Sequence, residues 1–99
     1  MSPRVYSQNQ LREKIGPIVK KYNAEKAMLF GSYARNEATP ESDIDVLIYG
    51  GDKFHPTDVF SIAEEIYIVC GKNADVYEIR EINPNSSFYK TITKDAVLL

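Results

Sequence analysis

Two short apolar runs frame the most constraining segment of this chain: Lys26 to Phe30 (KAMLF) stops at Gly31-Ser32, and Ile44 to Tyr49 (IDVLIY) begins with an aspartate set inside it and another, Asp43, just before it. Runs of five or six apolar, β-branched and aromatic residues bounded by turn residues read as strands. Strand side chains alternate faces, so Asp43 and Asp45 project to one side, while Ile44, Val46 and Ile48 project to the other and enter a core. Both carboxylates sit at the strand's entry, within reach of solvent or a ligand. Two carboxylates this close repel and raise each other's pKa. A divalent cation removes the conflict, and Asp oxygens suit Mg²⁺, which keeps several waters and is shared with substrate phosphates. A pair of exposed carboxylates at a strand edge is the other reading of the same residues.

Gly31-Ser32 lies between the first strand and a short helical turn expected over Tyr33 to Glu37. Without a Cβ, Gly31 lets a backbone N–H approach a phosphate closely. Ser32 adds a hydroxyl donor, and a helix start adds further N–H groups. An ordinary turn with an N-cap accounts for Gly31-Ser32 taken alone; next to the aspartate pair, the two together read as phosphate donors beside metal ligands. The chain has neither a G-x-x-x-x-G-K-[ST] phosphate loop nor a G-x-G-x-x-G dinucleotide fingerprint.

The remaining elements follow from periodicity. Residues 7–22 carry Leu11, Ile15, Ile18, Val19 and Tyr22 on one helical face, with Gly16-Pro17 expected to kink or split the helix. Thr57 reads as the N-cap of a helix bearing Val59, Ile62, Ala63, Ile66, Val69 and Cys70, stopped by Gly71. Ala74 to Ile79 reads as a third strand. Ser86 or Ser87 caps a last short helix to Lys94, and Val97 to Leu99 is an apolar tail. This alternation predicts an α+β fold: a small mixed sheet flanked by helices, as one domain over residues 1–99.

Composition narrows function by exclusion. Twelve basic against fourteen acidic residues argue against a partner held along a long nucleic-acid backbone. The single cysteine, Cys70, excludes an internal disulfide or a zinc cluster and reads as a buried small hydrophobe. No apolar run reaches membrane-spanning length and no signal region opens the chain, so a cytoplasmic protein without membrane contact is expected. His55, Lys53 and Lys72 read as solvated surface residues, and Tyr33 as packing.

Gly31-Ser32, ten residues, then Asp43-Ile44-Asp45 resembles the signature of the polymerase-β-type nucleotidyltransferase superfamily, and FGSYARNEATPESDIDVLI resembles its minimal nucleotidyltransferase (MNT) branch. The resemblance implies a polymerase-β-like nucleotidyltransferase fold. It implies that Gly31 and Ser32 hold the triphosphate, that Asp43 and Asp45 bind two metal ions, expected as Mg²⁺, and that a third carboxylate on a neighbouring strand completes the site. Asp75, in NADVYEI, stands where that third one is expected. From position alone it is equally a strand-end carboxylate or a turn partner of Asn73. Glu78 competes for the role, but its odd spacing from Asp75 puts it on the opposite face. Asn36 stands where relatives often carry glycine, and Asn tolerates a left-handed backbone best among the other residues. Arg35 either reaches a phosphate or pairs with Glu37, Glu41 or Asp43.

The implied activity is two-metal transfer of a nucleoside monophosphate, AMP from ATP, to an acceptor hydroxyl. Short MNT proteins resembling this one are antitoxins that modify a tyrosine of a helical HEPN-type toxin, which makes such a protein the expected partner; self-association is left open. Adenylylation of a small molecule, as in antibiotic-modifying relatives, is one alternative. Neutralisation of a toxin by contact alone, without catalysis, is the other.

Overall fold

The computed structural model describes residues 5–99. Ser7 begins helix α1 (Gln8–Lys21) with a capping box: its hydroxyl accepts from Gln10 N–H, and the Gln10 side chain accepts from the Ser7 N–H. The expected break at Gly16-Pro17 does not occur, and one helix runs through Pro17. Ile15, Ile18 and Val19 on either side are buried, so packing holds the turn in which proline lacks its donor. Strand β1 is Lys26–Phe30, the short helix α2 is Gly31–Ala34, and strand β2 is Ile44–Tyr49. Helix α3 (Asp58–Cys70) follows Thr57, which caps by position with no side-chain hydrogen bond, and ends on Gly71 at φ 69°. Strand β3 (Ala74–Glu78) gives way to a 3₁₀ turn at Ile79–Glu81, so it ends one residue before the expected Ile79. Ser86 caps helix α4 (Ser87–Asp95) by accepting from Tyr89 N–H.

The apolar tail is a strand, β4 (Val97–Leu98), pairing antiparallel with β1. The sheet order is β3-β2-β1-β4, with β1–β2 antiparallel and β2–β3 parallel. This is the small mixed sheet with flanking helices that the sequence predicts. One face carries Leu29, Ile44, Val46 and Ile48 into a core with α1 and α3. The other carries Phe30 and Leu47 into a smaller cluster with Ile82 and Ile92, beneath the 3₁₀ turn and α4. Leu47 is therefore buried although it shares the face of Asp45, and full burial of such a side chain contributes about 1.5–3 kcal/mol. Through Phe30, the last residue of β1, the second cluster reaches the upper end of the sheet, where β1 ends and β2 and β3 begin.

Candidate active site

That upper end collects the predicted residues. In the pairing register Phe30 is opposite Asp45, and Asp45 is beside Asp75. Asp45 and Asp75 thus share the face away from α1 and α3, next to the point where β1 turns into α2. Gly31 makes that turn at φ +69°, and a Cβ there would lie 2.2 Å from Asp45 Oδ2. Two requirements, a left-handed backbone and direct contact with a carboxylate, select glycine here. Ser32 follows, half-exposed, as the second residue of α2. The helical turn lies two residues earlier than expected, because Gly31 itself enters it.

α2 is too short to hold itself. The Gln8 side chain reaches over from α1 and donates to the carbonyls of Tyr33 (3.1 Å) and Ala34 (3.2 Å), satisfying carbonyls at the end of the turn. Asn36 then reverses the chain at φ 58°, the left-handed conformation expected from its side chain. Tyr33 is buried in the main core, as expected of a packing residue. Cys70 is likewise buried and His55 and Lys53 are exposed.

Asp45 is half-buried, and its carboxyl is pushed up from 3.8 to about 6. Burial is the largest cause; the charges of Asp75 and then Asp43 add to it, and Arg35 offsets part of the rise. Asp43 is exposed in the residue preceding β2, and Asp75 is exposed on β3. Among the described residues no three His, Cys, Asp or Glu side chains are already grouped closely enough to hold a metal ion. Asp45 and Asp75 form the coupled pair, and Asp43 stands at its rim. The donor chemistry fits a hard divalent cation: carboxylate oxygens from two adjacent strands, with too little positive charge nearby to keep Asp45 ionised in the ordinary range.

Arg35 pairs with Glu37 (2.9 Å) and lies 3.8 Å from Asp95 of α4. Of the partners the sequence left open, Glu37 is the one realised; Asp95 was not foreseeable from spacing. Glu78 is excluded as the third carboxylate. It is 1% exposed and accepts from Gly50 N–H, Arg80 N–H and Arg80 Nε. Burial pushes its carboxyl up, but these donors outweigh it and hold Glu78 below the usual carboxylate range. Lys72 corrects the sequence reading. It is not solvated but 6% exposed, and its ammonium donates to the Pro40 carbonyl at 2.7 Å. Sequence reasoning missed both Lys72 and Gln8; the Gly71 stop before Lys72 gave no sign that the following side chain folds inward. A cleft of about 370 Å³ opens beside Asp43, lined by Pro40, Ser42, Tyr67, Lys72 and Asn73.

Residues 13–99 match the family model described as Polymerase beta, Nucleotidyltransferase. Three proteins of Methanocaldococcus jannaschii, each named "Putative protein adenylyltransferase", are similar in sequence. One is 40% identical over 77% of this chain and 82% of its own length. Another is 33% identical over 88% and 83%, and a third 32% over 78% of each. Among solved structures, one described as "putative minimal nucleotidyltransferase" superposes with a TM-score of 0.77 at 23% identity, covering 92% of this chain and 91% of that one. A toxin–antitoxin structure with AMP-PNP gives 0.75 at 17% identity over 88% and 70%. A structure of a tri-AMPylated Shewanella oneidensis HEPN toxin in complex with MNT antitoxin gives 0.70 at 16% over 92% and 70%. At these identities the superpositions establish the fold.

Proposed function

The chain belongs to the polymerase beta nucleotidyltransferase family, and we propose on that premise that it moves AMP from ATP to a hydroxyl of a protein partner, as the MNT member of a pair with a helical HEPN-type protein. The observation that carries this reading is the position of Asp45, wedged between the Gly31 backbone on one side and Asp75 on the other. Phosphate-approachable backbone and a carboxylate pair meet at one atom group. The relatives named as protein adenylyltransferases supply the acceptor class. The antitoxin role and the HEPN-type partner rest on the fold shared with the toxin–antitoxin structures.

In the proposed reaction the acceptor oxygen attacks the α-phosphorus of ATP. The bond from that phosphorus to the bridging oxygen breaks, and pyrophosphate leaves with the electron pair. Positioning and charge neutralisation dominate such displacements. Gly31 and Ser32 hold the β- and γ-phosphates through backbone N–H and hydroxyl donors. Asp75, exposed on the edge strand, takes the proton of the acceptor hydroxyl. Asp43, Asp45 and Asp75 would hold two divalent ions, Mg²⁺ by their oxygen donors, whose chemistry is to neutralise charge on the attacking and leaving oxygens. Arg35, held by Glu37 and Asp95, acts on Asp45 through its charge.

The test is intact-mass spectrometry of a HEPN-type protein co-expressed with this chain. Addition of one or more AMP masses with the wild type, and none with the Asp43→Asn, Asp45→Asn double variant, is expected. An unmodified partner in the presence of the folded wild type, ATP and Mg²⁺ rejects the proposal.

A further inference from the structure

Lys72 and Glu78 are the two charged side chains buried among the described residues. Glu78 has Arg80 and two backbone donors. Lys72 has no such explanation: among the described residues no carboxylate lies within ion-pair distance of it. A buried cation without a counter-ion is costly, and stability alone favours an apolar side chain in its place.

Its contacts indicate what it does. Lys72 stands three residues before Asp75, in the turn that leads from α3 into β3. Its ammonium bonds the Pro40 carbonyl in the loop that delivers Asp43. It also lies 5.9 Å from the centroid of the Tyr33 ring, and Tyr33 directly follows Gly31-Ser32. The three segments that carry the site residues therefore converge on one side chain. The loop's own bonds, Ser42 N–H to Thr39 O and Thr39 N–H to Ser42 Oγ, are internal. The Lys72 bond ties that loop to another element at Pro40, four residues before Ile44, whose N–H joins Asn73 O at 3.0 Å. Gly71, left-handed at φ +69°, sets the direction in which Lys72 leaves the helix.

We propose that Lys72 is a positioning residue: its buried ammonium ties the loop before Asp43 to α2 and to the start of β3, and so sets Asp43 against the Asp45–Asp75 pair. The functional meaning of that alignment rests on the proposed nucleotidyl transfer; the alignment itself does not.

Hydrogen exchange on the full chain tests it, with Lys72→Met keeping the length but not the donor, and Lys72→Arg keeping a donor. Lys72→Met is expected to speed exchange across residues 38–45 about tenfold while α1 and β1 stay protected, and Lys72→Arg to restore most of the loss. With Mn²⁺ as probe, the Lys72→Met dissociation constant, read by electron paramagnetic resonance, is expected to rise about tenfold. Unchanged exchange in Lys72→Met, an equal rise over the whole chain, or no recovery in Lys72→Arg overturns the assignment. A wild type that neither binds Mn²⁺ nor transfers nucleotide defeats the proposed function instead, and the exchange data still decide the role of Lys72.

Discussion

Replacing Asp45 with asparagine is expected to stabilise the metal-free protein at neutral and alkaline pH. In the folded chain the Asp45 carboxyl is pushed from 3.8 to about 6, first by burial and then by Asp75 and Asp43. The folded state therefore holds this proton more tightly than the unfolded state, and stability falls as pH rises from 3.8 through 6. The penalty is complete above that window and absent below it. At 2.303RT per pH unit the shift corresponds to about 3 kcal/mol. Asp45 is only half-buried, and solvent screening reduces the figure to about 1–2 kcal/mol. Asparagine cannot ionise, so Asp45→Asn should gain that amount at pH 8, or roughly 5–15 °C in Tm for a domain of this size. The assay is urea unfolding of both proteins in chelator from pH 4 to 8. The gap should open between pH 4 and 6 and stay level above. A variant no more stable than wild type at pH 8, or an advantage undiminished at pH 4, refutes the electrostatic account of this site.

Three further outcomes follow from named contacts. Gly31→Ala should lose at least about 2 kcal/mol in urea unfolding, since it combines a left-handed backbone with a Cβ driven into Asp45, and should lose nucleotidyl transfer. Glu78→Ala should cost about 1–3 kcal/mol at pH 7 because it leaves the Gly50 and Arg80 N–H groups without their acceptor; the part that comes from the lowered Glu78 pKa is present above its ordinary value of 4.5 and fades as pH falls below it, so the gap between wild type and variant should narrow in acid. Mg²⁺ should raise the Tm of the wild type at pH 8 more than that of Asp43→Asn, Asp45→Asn; equal shifts would place the ion elsewhere.

Much of the backbone around the candidate site was legible in the sequence because its signals are local. The turn expected after β1 falls at Gly31, Asn36 takes the left-handed turn its side chain tolerates, and the two-residue strand period puts Asp45 on the face opposite Ile44 and Val46; Asp43 lies just before β2, outside the strand. The bounds of β1 and β2 followed from the same period and the glycines beside them. Asp75 was placed by family resemblance, and the register that brings it beside Asp45 is a property of two strands, not of either.

What the sequence by itself determined was the type of the longer helices and of the first three strands and most of the faces their side chains take, since these depend on neighbours within a few residues; Val69, expected on the apolar face of α3, is exposed. The tertiary structure alone decided the β3-β2-β1-β4 order and the recruitment of the tail as β4. It carried α1 through Pro17, turned Lys72 inward onto Pro40, and set Gln8 and Asp95 against the site segments. Each of these depends on contacts between residues far apart in the chain, whose packing and hydrogen bonds outweigh the local preference of proline to break a helix or of lysine to stay in water.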